Sequence, residues 1–312
     1  MGAWINFTNH IHISNESHEN GAMSFVGYKD ITPEIIEEIA QNKKIKCIQI
    51  SQELPEKAYS VIDRILEKRP DLYFRVFNIY GDKTFDLSIL GQMPHLSKVR
   101  IDAHLRENKN AINIEYLCEL PGLKGLHLDL FDRQDYSFMN NLSSDLEELI
   151  FFADTMGGAI QFDCEWLLQY KKLNSLFLGK KVKKHLESIG RISELKSLTL
   201  RGIKVSDFSF LKELQLKAFR LWWCGNTDLS GIGELKSLRE LELWRIMKLE
   251  NIDFVSSLVN LETLQLRDLK HVTTLPDLSN LVKLTDIQTY NVPIDFDTLD
   301  ESVRGLIHPY RY

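Results

Sequence analysis

The stretch Leu195–Leu266 decides the fold, because it contains one six-residue pattern four times. The copies read LKSLTL at 195–200, LKAFRL at 216–221, LRELEL at 238–243 and LETLQL at 261–266. Their leading leucines are 21, 22 and 23 residues apart. A nearly constant period of this length indicates an array of repeats, each too small to bury its own apolar face. The sequence therefore predicts a solenoid, in which successive repeats stack and share one core.

The spacing within each copy indicates a strand with one buried face. The last two leucines of a copy, such as Leu198 and Leu200, are two residues apart, so in a strand they point to the same side. Ser197, Thr199 and Arg201 point to the other side. Stacked copies predict a parallel sheet with leucines inside and variable residues outside.

The pattern extends in weaker form toward both ends of the chain. Its leading positions are 45, 72, 96, 123, 146, 173, 195, 216, 238, 261 and 284. Steps of up to 27 residues in the first half leave room for an outer helix, whereas steps of 21–23 residues leave room for a turn or a short 3₁₀ segment. We predict an α/β solenoid of about 11 repeats over residues 45–292, bent so that the parallel strands line a concave face.

The two ends of the chain are predicted to cap this solenoid. Residues 1–44 contain an alternating strand over 4–13, a hairpin partner over 22–28, and a helix that begins at Thr32-Pro33. Residues 293–312 form the second cap, with a short helix over 297–307. His10 and His12 share a strand face near His18, which fits either a metal site or the polar outer face of a capping strand. The second interpretation is favoured.

One predicted strand, over 72–77, breaks the pattern. Arg75 stands where the neighbouring copies have an apolar residue. Either the register slips by one residue there, or the Arg75 side chain extends out to solvent.

The composition limits the classes of function. The 312 residues carry a net charge of −6, which argues against nucleic acid or an anionic membrane as the main partner. Four widely separated cysteines, without a secretory signal, predict a cytoplasmic protein with neither disulfides nor zinc. We also expect a soluble chain that is monomeric when free.

Motifs for catalysis are absent from the sequence. It contains no P-loop, nucleophile elbow, HExxH or dinucleotide-binding fingerprint. His127 and Asp129 share a strand face and are an acid–base candidate, but an open sheet is a poor catalytic pocket. The expectation is a protein that is not an enzyme and that has no cofactor.

Over residues 45–291 the chain resembles leucine-rich repeat proteins. The later repeats resemble the short internalin-like class, and the earlier ones resemble the longer, helix-containing ribonuclease-inhibitor type. The family usually has asparagine, or less often cysteine, three residues after the last strand leucine. Here those positions hold Ile203, Cys224, Ile246 and Leu269. The resemblance implies that the concave strand face binds another macromolecule, most often a protein.

The outward positions of the later repeats supply candidate partner-binding residues. One position per repeat forms a column of residue types enriched at binding hot spots: Arg201, Trp222, Trp244, Arg267 and Tyr290. Arg220, Glu242 and Gln265 flank this column, and Phe152 and Phe177 are predicted to form an apolar patch with Ile150. The competing interpretation is that these side chains pack on one another and shield the sheet. A binding surface is favoured.

The leading functional hypothesis is an intracellular scaffold that docks a partner protein on its concave face. A more specific version is an inhibitor or immunity-type protein that covers a partner enzyme. The alternative is a structural or regulatory adaptor that binds through its ends or its outer helices, such as the one predicted over 55–68.

Overall fold

A computed structural model describes residues 9–20, 23–77, 85–103, 111–130, 133–154 and 158–309. The chain divides into two compact units, Met1–Gln161 and Phe162–Tyr312, which we call unit 1 and unit 2. Among the described residues, no helix is both long and apolar enough to cross a membrane.

Unit 1 contains strands and two outer α-helices. The strands are β1 (His10–Ser14), β2 (His18–Asn20), β3 (Met23–Gly27), β4 (Cys47–Ile50), β5 (Tyr73–Phe77), β6 (Phe85–Asp86), β7 (Lys98–Ala103), β8 (Ala111–Ile112), β9 (Gly125–Leu130) and β10 (Glu148–Phe151). The helices are α1 (Pro33–Gln41) and α2 (Glu56–Lys68), with 3₁₀ helices at Tyr28–Asp30, Leu87–Gln92, Ile114–Glu119 and Ser137–Asn140. Neighbouring strands follow the order β10-β9-β7-β5-β4-β1-β3-β2, and β6 pairs separately with β8.

Unit 2 is a parallel sheet backed by short 3₁₀ helices. Its strands are β11 (Ser175–Leu178), β12 (Ser197–Arg201), β13 (Ala218–Trp222), β14 (Glu240–Trp244), β15 (Thr263–Arg267), β16 (Asp286–Tyr290) and β17 (Ile307–Pro309), paired in that order. The 3₁₀ helices are Cys164–Gln169, Leu186–Arg191, Ser209–Leu211, Ser230–Glu234, Asp253–Ser257 and Phe296–Thr298, and α3 is Glu301–Arg304. A parallel sheet built from short repeats is the architecture that the sequence predicts, so this prediction is confirmed.

The paired leucines form the core of unit 2. Leu198 aligns with Phe219, Leu241 and Leu264 on successive strands, and each of these four side chains is at most 1% exposed. Full burial of such a side chain contributes about 1.5–3 kcal/mol. The repeated leucines therefore fix the strand register, because a slip of one residue would move the whole row to solvent.

The register in β5 resolves the question of Arg75. Phe74 and Val76 point inward and align with Ile48 and Ile50 of β4, while Arg75 lies on the outer face opposite Gln49. The pattern has slipped by one residue, as one of the two alternatives predicted. Arg75 consequently belongs to the outer row of the sheet.

The N-terminal pairing differs from the predicted hairpin. β1 pairs in parallel with both β3 and β4, and the antiparallel pair is β2 with β3. β2 therefore runs opposite to both β1 and β3. Residues 4–8 of the predicted first strand, and Ala22 of its partner, lie outside the described residues. Thr32 caps α1 as predicted, since its Oγ1 accepts from the N–H of Ile35 at 3.4 Å.

In the first half of the chain, the helices on the outer side are shorter than the long repeats would allow. After α2, the described outer segments of unit 1 are 3₁₀ helices, although two later steps there are 27 residues long. Within these two steps, residues 104–110 and 155–157 lie outside the described residues. The predicted outer α-helices thus occur at α1 and α2.

A backbone ladder occupies the turn where related repeats use asparagine. One residue after each strand of β12–β16 has a positive φ: Gly202 (69°), Trp223 (56°), Arg245 (54°), Asp268 (50°) and Asn291 (52°). The first four of these residues donate their N–H groups to the final carbonyl of the next strand, at 2.7–2.9 Å. Main-chain bonds therefore link successive repeats, while Ile203, Cys224, Ile246 and Leu269 are buried.

Buried cysteines contribute to the core as apolar side chains. All four cysteines are free thiols. Burial raises the pKa of Cys47 and Cys164 to about 12 and that of Cys224 to about 11. These thiols are protonated at neutral pH and unreactive as nucleophiles.

Candidate docking surface

The predicted column follows the strand register of unit 2. Arg201, Trp222, Trp244, Arg267 and Tyr290 are Cα partners on the adjacent strands β12–β16. All five stand at the last position of their strands, on the face opposite the leucine core. The sheet itself therefore brings these side chains together.

Three tryptophans form the centre of this surface, and we call Trp222, Trp223 and Trp244 the indole cluster. The ring of Trp244 packs edge-on against Trp222 at 5.5 Å and against Trp223 at 5.3 Å between centroids. Edge-to-face packing at this distance is a favourable aromatic geometry. Trp222 also packs edge-on against Phe177 of β11 at 5.7 Å, so a side chain from two strands away supports the cluster.

Trp223 is the residue that sequence analysis missed. It has a φ of 56° and remains 40% exposed, so a bulky side chain occupies a backbone conformation that favours glycine. The guanidinium carbons of Arg201 and Arg245 lie 4.4 Å and 5.7 Å from its ring centroid. The leucine pattern does not mark it, because Trp223 follows the last strand residue and its direction depends on the positive φ of the turn.

A buried ion pair supports the cluster. Arg267 donates to Glu242 at 3.0 Å, and its guanidinium carbon stacks on the Trp244 ring at 4.1 Å. Glu242 is 4% exposed and Arg267 is 9% exposed, which differs from the exposure expected for outer strand positions. Neighbouring side chains cover both groups, so they hold Trp244 in place rather than offering an open contact surface.

Asp268 fixes the orientation of Trp244. Its Oδ2 accepts from the indole N–H of Trp244 at 3.0 Å, and its Oδ1 accepts from Asn291 at 2.7 Å. The hydrogen bond from Asn291 outweighs burial and, with that from Trp244, holds the pKa of the Asp268 carboxyl below its usual value. By contrast, the shielded indole N–H of Trp222 has no hydrogen-bond partner among the described residues.

The remaining predicted residues of unit 2 surround the cluster. Arg220 is half-buried and pairs with Glu240 at 2.8 Å. Gln265 donates to Gln288 at 3.3 Å, and Tyr290 is 48% exposed. Trp223 and Tyr290 are two of the five exposed large hydrophobic residues in the described chain.

The two phenylalanines predicted as an exposed patch belong to different units. Phe177 of unit 2 is 8% exposed, because Trp222 packs on it. Phe152 of unit 1 is half-buried and stacks on the ring of His127 at 5.2 Å. The prediction that Phe177 is exposed is therefore wrong.

The histidines considered at the sequence level have structural partners. His12 and His18 stack on Phe25 at 4.6 Å and 4.5 Å. His127 is buried, and its Nε2 lies 3.6 Å from a carboxylate oxygen of Asp102. These contacts account for His12, His18 and His127 without a catalytic role.

One group of potential metal ligands occurs among the described residues: Asp163, Glu165 and His185. Lys184 binds Asp163 at 2.8 Å, and Asp163 also caps the following 3₁₀ helix by accepting from the N–H of Glu165. Burial raises the pKa of Asp163, but these bonds and that from His185 outweigh it and lower the pKa to about 2. The donor set is engaged in an ion-pair network, which does not fit a metal site.

Comparison with known proteins gives similarity in fold. No family model matches the sequence, and no curated protein matches it. An internalin, InlF, from Listeria monocytogenes is 17% identical, with 89% of this chain and 94% of that chain covered and a TM-score of 0.47. A leucine-rich repeat protein from Leptospira interrogans is 16% identical, with 89% and 92% covered and a TM-score of 0.45.

The chain resembles leucine-rich repeat proteins. The period of its leucines and the register of its strands carry this resemblance.

Proposed function

We propose that this protein is a binding scaffold that docks a partner protein on the outer strand face of unit 2, with the indole cluster at the centre. The observation that carries the proposal is Trp223, which is exposed at a φ of 56° and has the guanidinium groups of two arginines over its ring. A non-glycine residue in this region costs about 1–2 kcal/mol. The equivalent positions after β12, β14, β15 and β16 also have a positive φ, but they hold glycine, arginine, aspartate and asparagine, so Trp223 is the large aromatic side chain in this row.

The packing of the side chains within the indole cluster is compatible with partner binding and supports it. The ion pair of Glu242 with Arg267 and the hydrogen bond from Trp244 to Asp268 fix the rings before a partner arrives. Rigid aromatic side chains lose little conformational entropy on binding, which is why tryptophan and tyrosine dominate hot spots. The self-packing interpretation explains Trp244 and Arg267, but it leaves Trp223 and Tyr290 exposed.

Charge indicates the kind of partner surface that fits. Arg201 and Arg245 flank the exposed ring of Trp223. A partner that inserts an apolar side chain beside Trp223 and presents acidic groups to these arginines would match both features. In the finer form of the proposal, the docked face covers the active surface of a partner enzyme and inhibits it.

The test is affinity capture from the native host, followed by measurement of the dissociation constant for each captured protein. Trp223→Ala is expected to weaken binding about 30-fold or more, as for a hot-spot residue worth at least about 2 kcal/mol. The matched control is Trp166→Ala, which removes a half-buried tryptophan from a 3₁₀ helix on the return side of unit 2.

Equal affinity of the parent and Trp223→Ala would refute this docking surface. The adaptor alternative predicts a different result, in which charge changes on α2, such as Lys57→Gln and Arg64→Gln, weaken binding instead. Titration of a captured enzyme with the parent protein tests inhibition, and undiminished activity in the saturated complex would refute the inhibitory form.

A further inference from the structure

Unit 1 has a basic cavity on its outer strand face, distinct from the docking surface of unit 2. Its volume is about 360 Å³. The basic side chains that line it are His10, Lys46, Arg75, Arg100 and His127. None of the described residues that line it is aspartate or glutamate. This concentration of positive charge lies in a chain with a net charge of −6, so overall composition does not explain it.

The two arginines are fixed by a carboxylate beneath the cavity. Asp102 is 2% exposed and forms ion pairs with Arg75 and with Arg100, the latter at 2.9 Å. Gln49 accepts a further bond from Arg75 at 2.7 Å. Arginines held this way present their remaining N–H groups without a further loss of side-chain entropy.

Lys46 adds a third permanent cation at the edge of the cavity. Its main chain is fixed, because its N–H donates to Asn9 at 2.7 Å and its carbonyl accepts from Tyr73 at 3.0 Å. The ammonium group forms no ion pair within the described part of the chain. Three permanent cations and one buried carboxylate leave two unbalanced positive charges.

His10, one of the two histidines that line the cavity, is consistent with this positive field. Burial lowers the pKa of His10, and the charge of Arg75 lowers it further. A group whose protonated form is disfavoured by a neighbouring cation would be stabilised by an anion in the same place. Tyr73 and Ile150 provide less polar walls beside the charged groups.

We propose that this cavity binds a small phosphate monoester. The dianionic phosphate would lie against Arg75, Arg100 and Lys46, whose guanidinium forks and ammonium group match its oxygens and its charge. The organic part would lie along Tyr73 and Ile150. Ligand pockets range from about 300 to 1,000 Å³, so a cavity of about 360 Å³ accepts a small molecule.

Histidine NMR of the whole protein, with inorganic phosphate and phenyl phosphate as probes and chloride at matched ionic strength, tests this proposal. Each phosphate is expected to shift the His10 ring signals saturably and to raise the pKa of His10, because binding of the anion and of the proton are linked. Phenyl phosphate is expected to bind more tightly than inorganic phosphate.

Two variants remove a cation each, and two controls remove the same charge nearby. Arg100→Gln and Lys46→Gln are each expected to weaken phenyl phosphate binding at least about tenfold, as for a lost charged hydrogen bond. Arg64→Gln on α2 and Lys44→Gln, both exposed and outside the cavity, are expected to keep the parent affinity.

The absence of a saturable His10 shift with either probe would overturn the proposal. So would an equal loss of affinity in Lys44→Gln and Lys46→Gln, since that would indicate general charge attraction. Lys46 is exposed and makes no contact with Asp102, so its variant decides the question even if Arg100→Gln is misfolded.

Discussion

Unit 1 and unit 2 use the same position of the repeat for opposite chemistry. In β7 the outward residue that follows the second inward apolar side chain is Asp102. Its carboxylate forms ion pairs with Arg75 and Arg100. The equivalent residues of β13 and β14 are Trp222 and Trp244. Their rings pack on each other, and Arg267 stacks on Trp244. Both units bury the same paired apolar residues on the other side of the sheet. The framework therefore determines where side chains meet, and the residue types decide what they can bind.

The largest expected difference concerns the buried carboxylate of unit 1. Asp102→Asn would leave two arginines without their counter-charge, and breaking a buried ion pair costs about 3–5 kcal/mol. We expect the lower end of this range, because Arg100 is 36% exposed. Urea denaturation measures the loss, with the exposed Asp253→Asn of unit 2 as control. A loss no greater than in the control would show that unit 1 does not depend on this charge.

The second prediction concerns how the stability of each unit depends on pH. The pKa of His12 is lowered to about 4, mainly by burial and further by the charges of His10 and Arg75. The unfolded chain then binds more protons, so this stabilisation is complete above about pH 6.5 and is lost as pH falls toward 4. The loss is on the order of 3 kcal/mol.

In unit 2, Asp163 makes stability depend on pH in a lower pH range. Because its pKa is lowered to about 2, its contribution is complete above its ordinary pKa of 3.8 and is lost as pH falls from 3.8 toward 2. Denaturant midpoints at pH 7 and 4.5 check the contrast. His12→Gln should reduce the dependence between these two values and leave the part that comes from His10, whose pKa is also lowered. An unchanged slope would assign the dependence to groups other than His12.

The third prediction concerns how tightly the short repeats of unit 2 pack. A Cβ on Gly190 would lie 1.9 Å from the carbonyl oxygen of Phe210, so Gly190→Ala requires the backbone to move. Overpacking of this kind costs about 1–3 kcal/mol. Gly122→Ala in unit 1 is the matched control, because a Cβ there meets nothing within 4 Å. Equal thermal midpoints for the two variants would contradict the difference in packing.

The smallest expected effect on stability is at Trp223. Trp223→Gly relieves a positive φ worth about 1–2 kcal/mol but loses contacts with Trp244, Arg201 and Arg245. The two changes offset each other, so the unfolding free energy should change by less than about 1 kcal/mol. The same variant should lose partner binding. A large destabilisation would instead make Trp223 a structural residue.

The two surfaces differ in how far the sequence alone could locate them. The column from Arg201 to Tyr290 could be located because leucine spacing fixes which residues point outward. Trp223 could not, because it follows the strand and its position depends on a positive φ that the pattern does not encode. The basic cavity was missed for another reason. Asp102 and Arg75 are far apart in sequence and meet only after the register of β5 slips.

The sequence by itself determined the repeat, the inward leucines and the outward column, because burial of apolar side chains imposes a period that can be counted. Tertiary structure decided the parallel pairing of β1 with β3, the burial of Glu242 and Arg267, and the basic cavity. These features depend on which side chains from neighbouring repeats come within a few ångströms. Contacts at that range arise only after stacking has set the distances between strands.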